Sequence, residues 1–130
     1  MSDWTPEELN IIGGTEEIEL TPADADGNPL ASVIMWAVTD GTSVFVRSVH
    51  GRRGRWWRQV NETGRGTLAA GGSVDDGGVV RDVGFQTVSD IQNQAVSDAY
   101  NHKYAAQPAE YRQPMVEGEA LEGTWRVVPL

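Results

Sequence analysis

Between Ala31 and Val49 the chain reads ASVIMWAVTDGTSVFVRSV, and no other stretch restricts the fold as much. Its first ten residues form a near-continuous apolar run, the pattern of a strand buried on both faces. Asp40-Gly41 then offers what a tight hairpin needs, because glycine takes positive φ without steric cost. The segment after the turn alternates, with Val44, Val46 and Ser48 on one face and Phe45, Arg47 and Val49 on the other. The valines mark the core face, so Arg47 is expected to leave the core and aim outward.

The flanks supply partners for this hairpin. EEIELTP alternates, with Ile18 and Leu20 on one face, and TWRVVPL reads as a terminal strand with Trp125 and Val127 facing one way. GTLAA and VVRDVGFQTV are strands joined by GGSVDDGG, whose glycines suit a hairpin tip. That loop has no following Lys-Ser/Thr and opens no helix, so it is not a phosphate-cradling loop. Thr5-Pro6-Glu7-Glu8 reads as a capping box with proline at the first helical position, Trp4 and Leu9 at the staple positions, and Gly13-Gly14 as a left-handed stop. Ser89-Asp90-Ile91-Gln92 starts a second helix running to about Tyr104, with Ile91, Ala95, Val96, Ala99 and Tyr100 on one face. His102 and Lys103 fall in its last turn, where cations suit the dipole, and AQPAEYRQPMVEGEALEG reads as a loop. The expected fold is mainly β, of the α+β kind. It has six antiparallel strands closed into a small barrel, a short N-terminal helix and one longer helix before the last strand. Residues 1–130 are expected to form a single domain.

Charge is unevenly spread. From Arg47 to Arg65 there are six arginines and one acidic residue, Glu62, whereas the rest of the chain carries four basic and eighteen acidic residues. The net charge of −9 argues against nucleic acid as a partner. Without cysteine there is no disulfide framework, thiolate metal site or cysteine nucleophile. His50 and His102 lack ligand spacing, so no metal is expected, and the scattered carboxylates form no glycosidase-like pair. With neither a signal peptide nor an apolar run approaching the ~20 residues of a membrane span, a soluble cytoplasmic protein is expected.

The segments VIMWAVTDGTSVFVRSVHGRRGRWWRQV, GRGTLAAGG, AYNHKY and TWRVVPL, in that order, resemble a bacterial family known as domain of unknown function 2255. That family is placed in the superfamily of FMN-binding split barrels, which includes pyridoxamine-phosphate oxidases and deazaflavin-dependent nitroreductases. The matching positions are Trp36, Arg47-Ser48, Gly51, Trp56, Tyr100, Lys103 and Tyr104. The resemblance implies a split barrel, usually a homodimer, holding FMN or a deazaflavin on the outer barrel surface near the subunit interface. It also implies an oxidoreductase as one reading; a ligand-binding or interaction module without cofactor is the other. Members often carry a basic residue just before the buried strand, where this chain has Leu30-Ala31.

A phosphorylated cofactor needs charge-assisted donors, and the arginine fork supplies two at once. The residues expected to bind it are Arg47, Ser48, Gly51, Arg52, Trp56 and Arg58, with Arg47, Arg52 and Arg58 at the centre and Arg53 and Arg55 more exposed. On this reading Arg47→Ala weakens anion binding and leaves the fold intact. The bland alternative is that these arginines pair with surplus carboxylates on a solvated turn. Adjacent tryptophans diverge, so one of Trp56 and Trp57 is expected in the core and the other at the site. Ser48 reads as a phosphate contact rather than a nucleophile. Tyr100 and Lys103, neighbours on a helix, either border the pocket on its substrate side or pack on the barrel and cap carbonyls.

Overall fold

The computed structural model describes residues 3–72 and 74–130; Met1 and Ser2 of the N-terminal stretch and Ser73 of the Gly-rich loop lie outside the described residues. The described residues form seven strands: β1 (Ile18–Pro22), β2 (Val33–Met35), β3 (Ala37–Thr39), β4 (Val44–Arg47), β5 (Arg65–Ala70), β6 (Val79–Gln86) and β7 (Thr124–Pro129). They pair in the order β2-β1-β5-β6-β7-β4-β3, antiparallel throughout. The expected six become seven because the long apolar run bends at Trp36. Met35 and Ala37 stay in the barrel interior, while the Trp36 ring stacks on Tyr104 at 4.1 Å. The first and last strands of the order are therefore consecutive in the chain, and the sheet curls into a nearly closed barrel. Burial on both faces holds only for the β3 half of the run; in β2, Ile34 is 57% exposed.

Alternation in β4 sorts its residues as the sequence suggests, with a different outcome for the outward set. Val44 and Val46 enter the interior with Ile18, Leu20, Leu68 and Val127. Phe45 joins a second cluster with Val38, Val96, Tyr100 and Tyr104, covered by a helix. Arg47 faces the same side, which corrects the outward reading: it is only 2% exposed.

Helix α1 (Pro6–Gly14) has the expected Thr5–Glu8 capping box. It is fixed to the barrel by Trp4 Nε1 donating to Val127 O at 3.0 Å and by the Arg81–Glu8 ion pair at 2.9 Å. Its glycines do not take the left-handed stop; the helix ends at extended Thr15. Gly13 instead permits close approach, since a Cβ there would lie 2.7 Å from Thr39 Cγ2.

The Arg/Trp segment forms a helix that the sequence reading lacked, α2 (Arg55–Thr63), after a 3-10 turn over Gly51–Arg53. Val60 is buried and both Trp56 and Trp57 pack on the main core, so this apolar strip drives the helix. Gly64, at φ 70°, ends it.

Helix α3 (Asp90–Lys103) has the expected Ser89–Gln92 box, but Ile91 is 85% exposed. The partner strand β3 offers three residues, and Val96, Ala99 and Tyr100 occupy that contact. The expected loop before β7 contains α4 (Ala109–Arg112) and 3-10 turns over Gln113–Met115 and Gly118–Gly123.

Candidate functional site

At the end of β4 the chain leaves the sheet through Ser48 and turns at Gly51 into α2. Gly51 is required there: φ is +59°, and a Cβ would lie 2.4 Å from Glu119 O. This turn decides where each arginine goes.

Arg47 is committed to the interior. Its Nε donates to Thr124 Oγ1 at 2.8 Å, Nη1 to Met115 O at 3.0 Å, and Nη2 to Asn93 O and Oδ1 at 2.8 and 2.6 Å. The Tyr100 ring lies 5.6 Å from its Cζ. Among the described residues no carboxylate comes within ion-pair distance of it. Burial lowers its pKa, but a guanidinium keeps its proton in a protein. The result is a buried cation held by neutral dipoles.

The remaining expected residues are divided by α2, because Trp56 and Trp57 point about 100° apart around it. On one side, Ser48, Val49, His50, Gly54, Arg55 and Trp56 border a cleft of about 230 Å³ that also reaches Ala31 and Val33. Among the described residues no carboxylate lines it. Ser48 is 2% exposed as a residue, and its Oγ makes no side-chain hydrogen bond among the described residues. The Oγ sits so close to the start of α2 that a Cβ on Gly54 would meet it at 2.2 Å. Gly54 caps that helix without a side chain, so the first amides of α2 have no intrahelical acceptor.

On the other side, Arg52 and Trp57 line a cleft of about 590 Å³ with Asn93, Thr124 and Trp125. Trp57 stacks on Trp125 at 5.2 Å, and Arg52 lies 6.0 Å from the centroid of the Trp57 ring. Both tryptophans of the pair thus join core and cleft at once, which corrects the division into one core and one site residue. Arg58 is exposed and lines neither cleft. Arg53 pairs with Glu119 at 2.6 Å, as the bland reading of the segment would have it.

Tyr100 and Lys103 lie at neither cleft. Tyr100 is fully buried, with its hydroxyl donating to Trp36 O at 3.3 Å, and burial raises its pKa. Lys103 Nζ donates to Ile12 O at 3.2 Å and Ala37 O at 2.6 Å, tying α3 to α1 and β3; burial pushes its pKa down to about 8. Of the two readings for this pair, the structure has the packing and carbonyl-capping one. Among the described residues no group of three His, Cys, Asp or Glu side chains is placed to hold a metal. Among the described residues no helix is long and apolar enough to cross a membrane.

The residues that sequence reasoning missed are Asn93, Thr124 and Trp125. Asn93 Oδ1 accepts from Arg47 and Thr124, and its Nδ2 donates to Leu121 O at 2.7 Å. A polar residue inside a capping turn gives no sign of such a role.

The chain matches, over residues 8–127, the family described as an uncharacterized protein conserved in bacteria, DUF2255. It belongs to that family. A search of the curated proteins found no match. Among solved structures, this DUF2255 protein is similar to HutZ, a heme storage protein from Vibrio cholerae, with 13% identity and a TM-score of 0.65 over 100% of this chain and 92% of that one. An F420 reductase matches with 14% identity and a TM-score of 0.59, over 87% and 84%. An FMN-binding protein from Syntrophomonas wolfei subsp. wolfei matches with 12% identity and a TM-score of 0.59, over 95% and 81%. At these identities the likeness establishes the split-barrel fold.

Proposed function

We infer that this DUF2255 protein binds a phosphorylated flavin-type cofactor, FMN or a deazaflavin, with the phosphate at the start of α2. The observation that carries this is Ser48: its hydroxyl makes no side-chain hydrogen bond among the described residues and borders a cleft whose described lining holds no carboxylate. The free amides and positive end of α2 favour an anion at that point. The donor set fits a phosphate, with Ser48, the α2 amides and the Arg55 side chain available to it. Trp56, Val33 and Val49 supply an apolar wall for the planar ring. Arg52 and Arg58 do not line this cleft, and Arg47 is committed elsewhere. The likeness to an F420 reductase and to an FMN-binding protein supports a flavin-type ligand.

When bound, such a group supplies hydride or electron transfer, and the protein orients it; this makes a cytoplasmic oxidoreductase the finer reading. A homodimer belongs to the same reading. Val49 and Ile34 are exposed apolar residues at and beside the cleft, and an obligate interface there would bury more than about 2,000 Å² in total. A monomer throughout the micromolar range in sedimentation would remove it. A ligand-binding module without cofactor is favoured by one observation, the commitment of Arg47 to internal acceptors.

Titrating the protein with FMN and with a deazaflavin separates the two. Quenching of tryptophan or cofactor fluorescence is expected, with affinity about tenfold lower in Ser48→Ala, the loss of one charge-assisted hydrogen bond. If neither compound changes either fluorescence, the cofactor reading is wrong.

A further inference from the structure

The turn that carries the chain from Ser48 into α2 is shaped from outside, by the 3-10 turn Gly118–Gly123 that lies against it as a strap. Ser48 N donates to Gly123 O at 3.0 Å, and a Cβ on Gly123 would lie 2.8 Å from Gly51 Cα and 3.1 Å from Ser48 Cβ. Glu119 O stands where a Cβ on Gly51 would have to go. Withdrawing the strap would therefore take the acceptor from Ser48 N and leave the turn at Gly51 unsupported. On its barrel side the strap is tied by Asn93 Nδ2, which donates to Leu121 O at 2.7 Å. On its solvent side Arg53 Nε and Nη2 donate to the two carboxylate oxygens of Glu119 at 2.9 and 2.6 Å, and among the described residues no other ion pair reaches the strap. A two-point pair of this kind fixes the orientation of both partners. Exposed as it is, it adds little to global stability, but a surface turn opens at a far smaller free energy than the whole fold, so a small contribution is enough to set its open fraction.

We propose that Arg53 and Glu119 latch the strap over the Ser48 turn and thereby regulate how firmly the start of α2 holds an anion; the regulatory half rests on the cofactor reading above. Neither residue lines the Ser48 cleft, so the latch acts on an anion through the backbone it holds. Salt is its natural release, because screening weakens an exposed ion pair and leaves the Asn93–Leu121 tie in place.

Hydrogen exchange of the ligand-free full chain, followed at the amides of residues 48–54 and 118–123, tests the latch. Arg53→Ala and Glu119→Gln are each expected to speed exchange there about two- to fivefold, the range an exposed pair spans, while thermal melts stay at wild type. FMN titration of the same variants tests the regulation. A latch predicts weaker binding in both, although one variant removes a positive and the other a negative charge; a field effect alone would weaken binding in the first and strengthen it in the second. The reversed pair, Arg53→Glu with Glu119→Arg, is expected to recover both readouts. Unchanged exchange in the single variants overturns the latch, and opposite movement of their FMN affinities overturns its regulatory role. If the wild type binds no flavin, the cofactor reading fails by itself, and the exchange rates still decide the latch.

Discussion

Arg47 and Arg53 stand six positions apart in one arginine-rich stretch, yet they live in different solvents. Arg47 is the last residue of a strand whose outer face is roofed by α3, and four hydrogen bonds hold it to neutral groups. Arg53 sits in the turn beyond, 73% exposed, paired with a half-exposed Glu119. Residue type and local charge density are the same; the register of β4 and the roof above it make the difference. A cluster of arginines in a sequence is thus a set of separate cases, sorted by where the backbone leaves the sheet.

The widest split between the two is expected from alanine substitution at Arg47. It strands the acceptors on Thr124, Met115 and Asn93, at about 1–3 kcal/mol each, offset by relief of a buried charge. A net loss of about 3 kcal/mol should lower the melting temperature by roughly 10 °C. Arg47→Lys sharpens the point, because an ammonium lacks the planar fork that reaches four acceptors on three residues, and it should recover less than half of that loss. A melting temperature near wild type in Arg47→Ala would break the comparison.

Lys103 extends the comparison to a second cation, this one half-buried and able to give up its proton. Its folded pKa, about 8, lies below the value of 10.5 for the free side chain, so between these the unfolded chain binds more protons. Stability therefore rises as pH increases from about 8 toward 10. Above about 10 the trend reverses, since burial raises Tyr100 and Tyr104 and the unfolded tyrosines ionise first. Urea midpoints across this range should show the rise in wild type and a flatter profile in Lys103→Met. An equally steep rise in the variant would assign it to other groups.

Arg53→Ala should change least. Its ion pair is exposed and screened, so thermal melts at physiological ionic strength should superimpose on wild type. A shift rivalling that of Arg47→Ala would mean that exposure does not sort these arginines.

Strand patterns and the two capping boxes were legible because each depends on residues within a few positions of one another. Helix α2 was not, because Gly54 begins it without a side-chain cap and its Trp-Trp-Arg core suits strand or helix alone. The bend at Trp36 left no mark in an unbroken apolar run; only the Tyr104 ring, 68 positions later, explains it. Alternation put Arg47 on the right face of β4, but whether that face meets water depends on α3, far downstream. Ser48 entered the candidate site through resemblance, and the close fit of its hydroxyl to the start of α2 appears only once Gly54 is folded against it.

The bend at Trp36 also determines how the wall can open. Along every other line of the barrel, neighbouring strands are laced by backbone hydrogen bonds, but β2 and β3 are joined end to end by one residue. Spreading the wall there breaks no ladder. What resists it is side-chain chemistry: Trp36 on Tyr104, the Tyr104 hydroxyl accepting from Ala37 N and donating to Glu16 O, and Lys103 on Ala37 O. The cylinder thus has a seam of covalent thread with aromatic fasteners, and its breathing should be set by those three side chains rather than by strand pairing, with hydrogen exchange fastest beside Trp36 when Tyr104 is shortened to leucine.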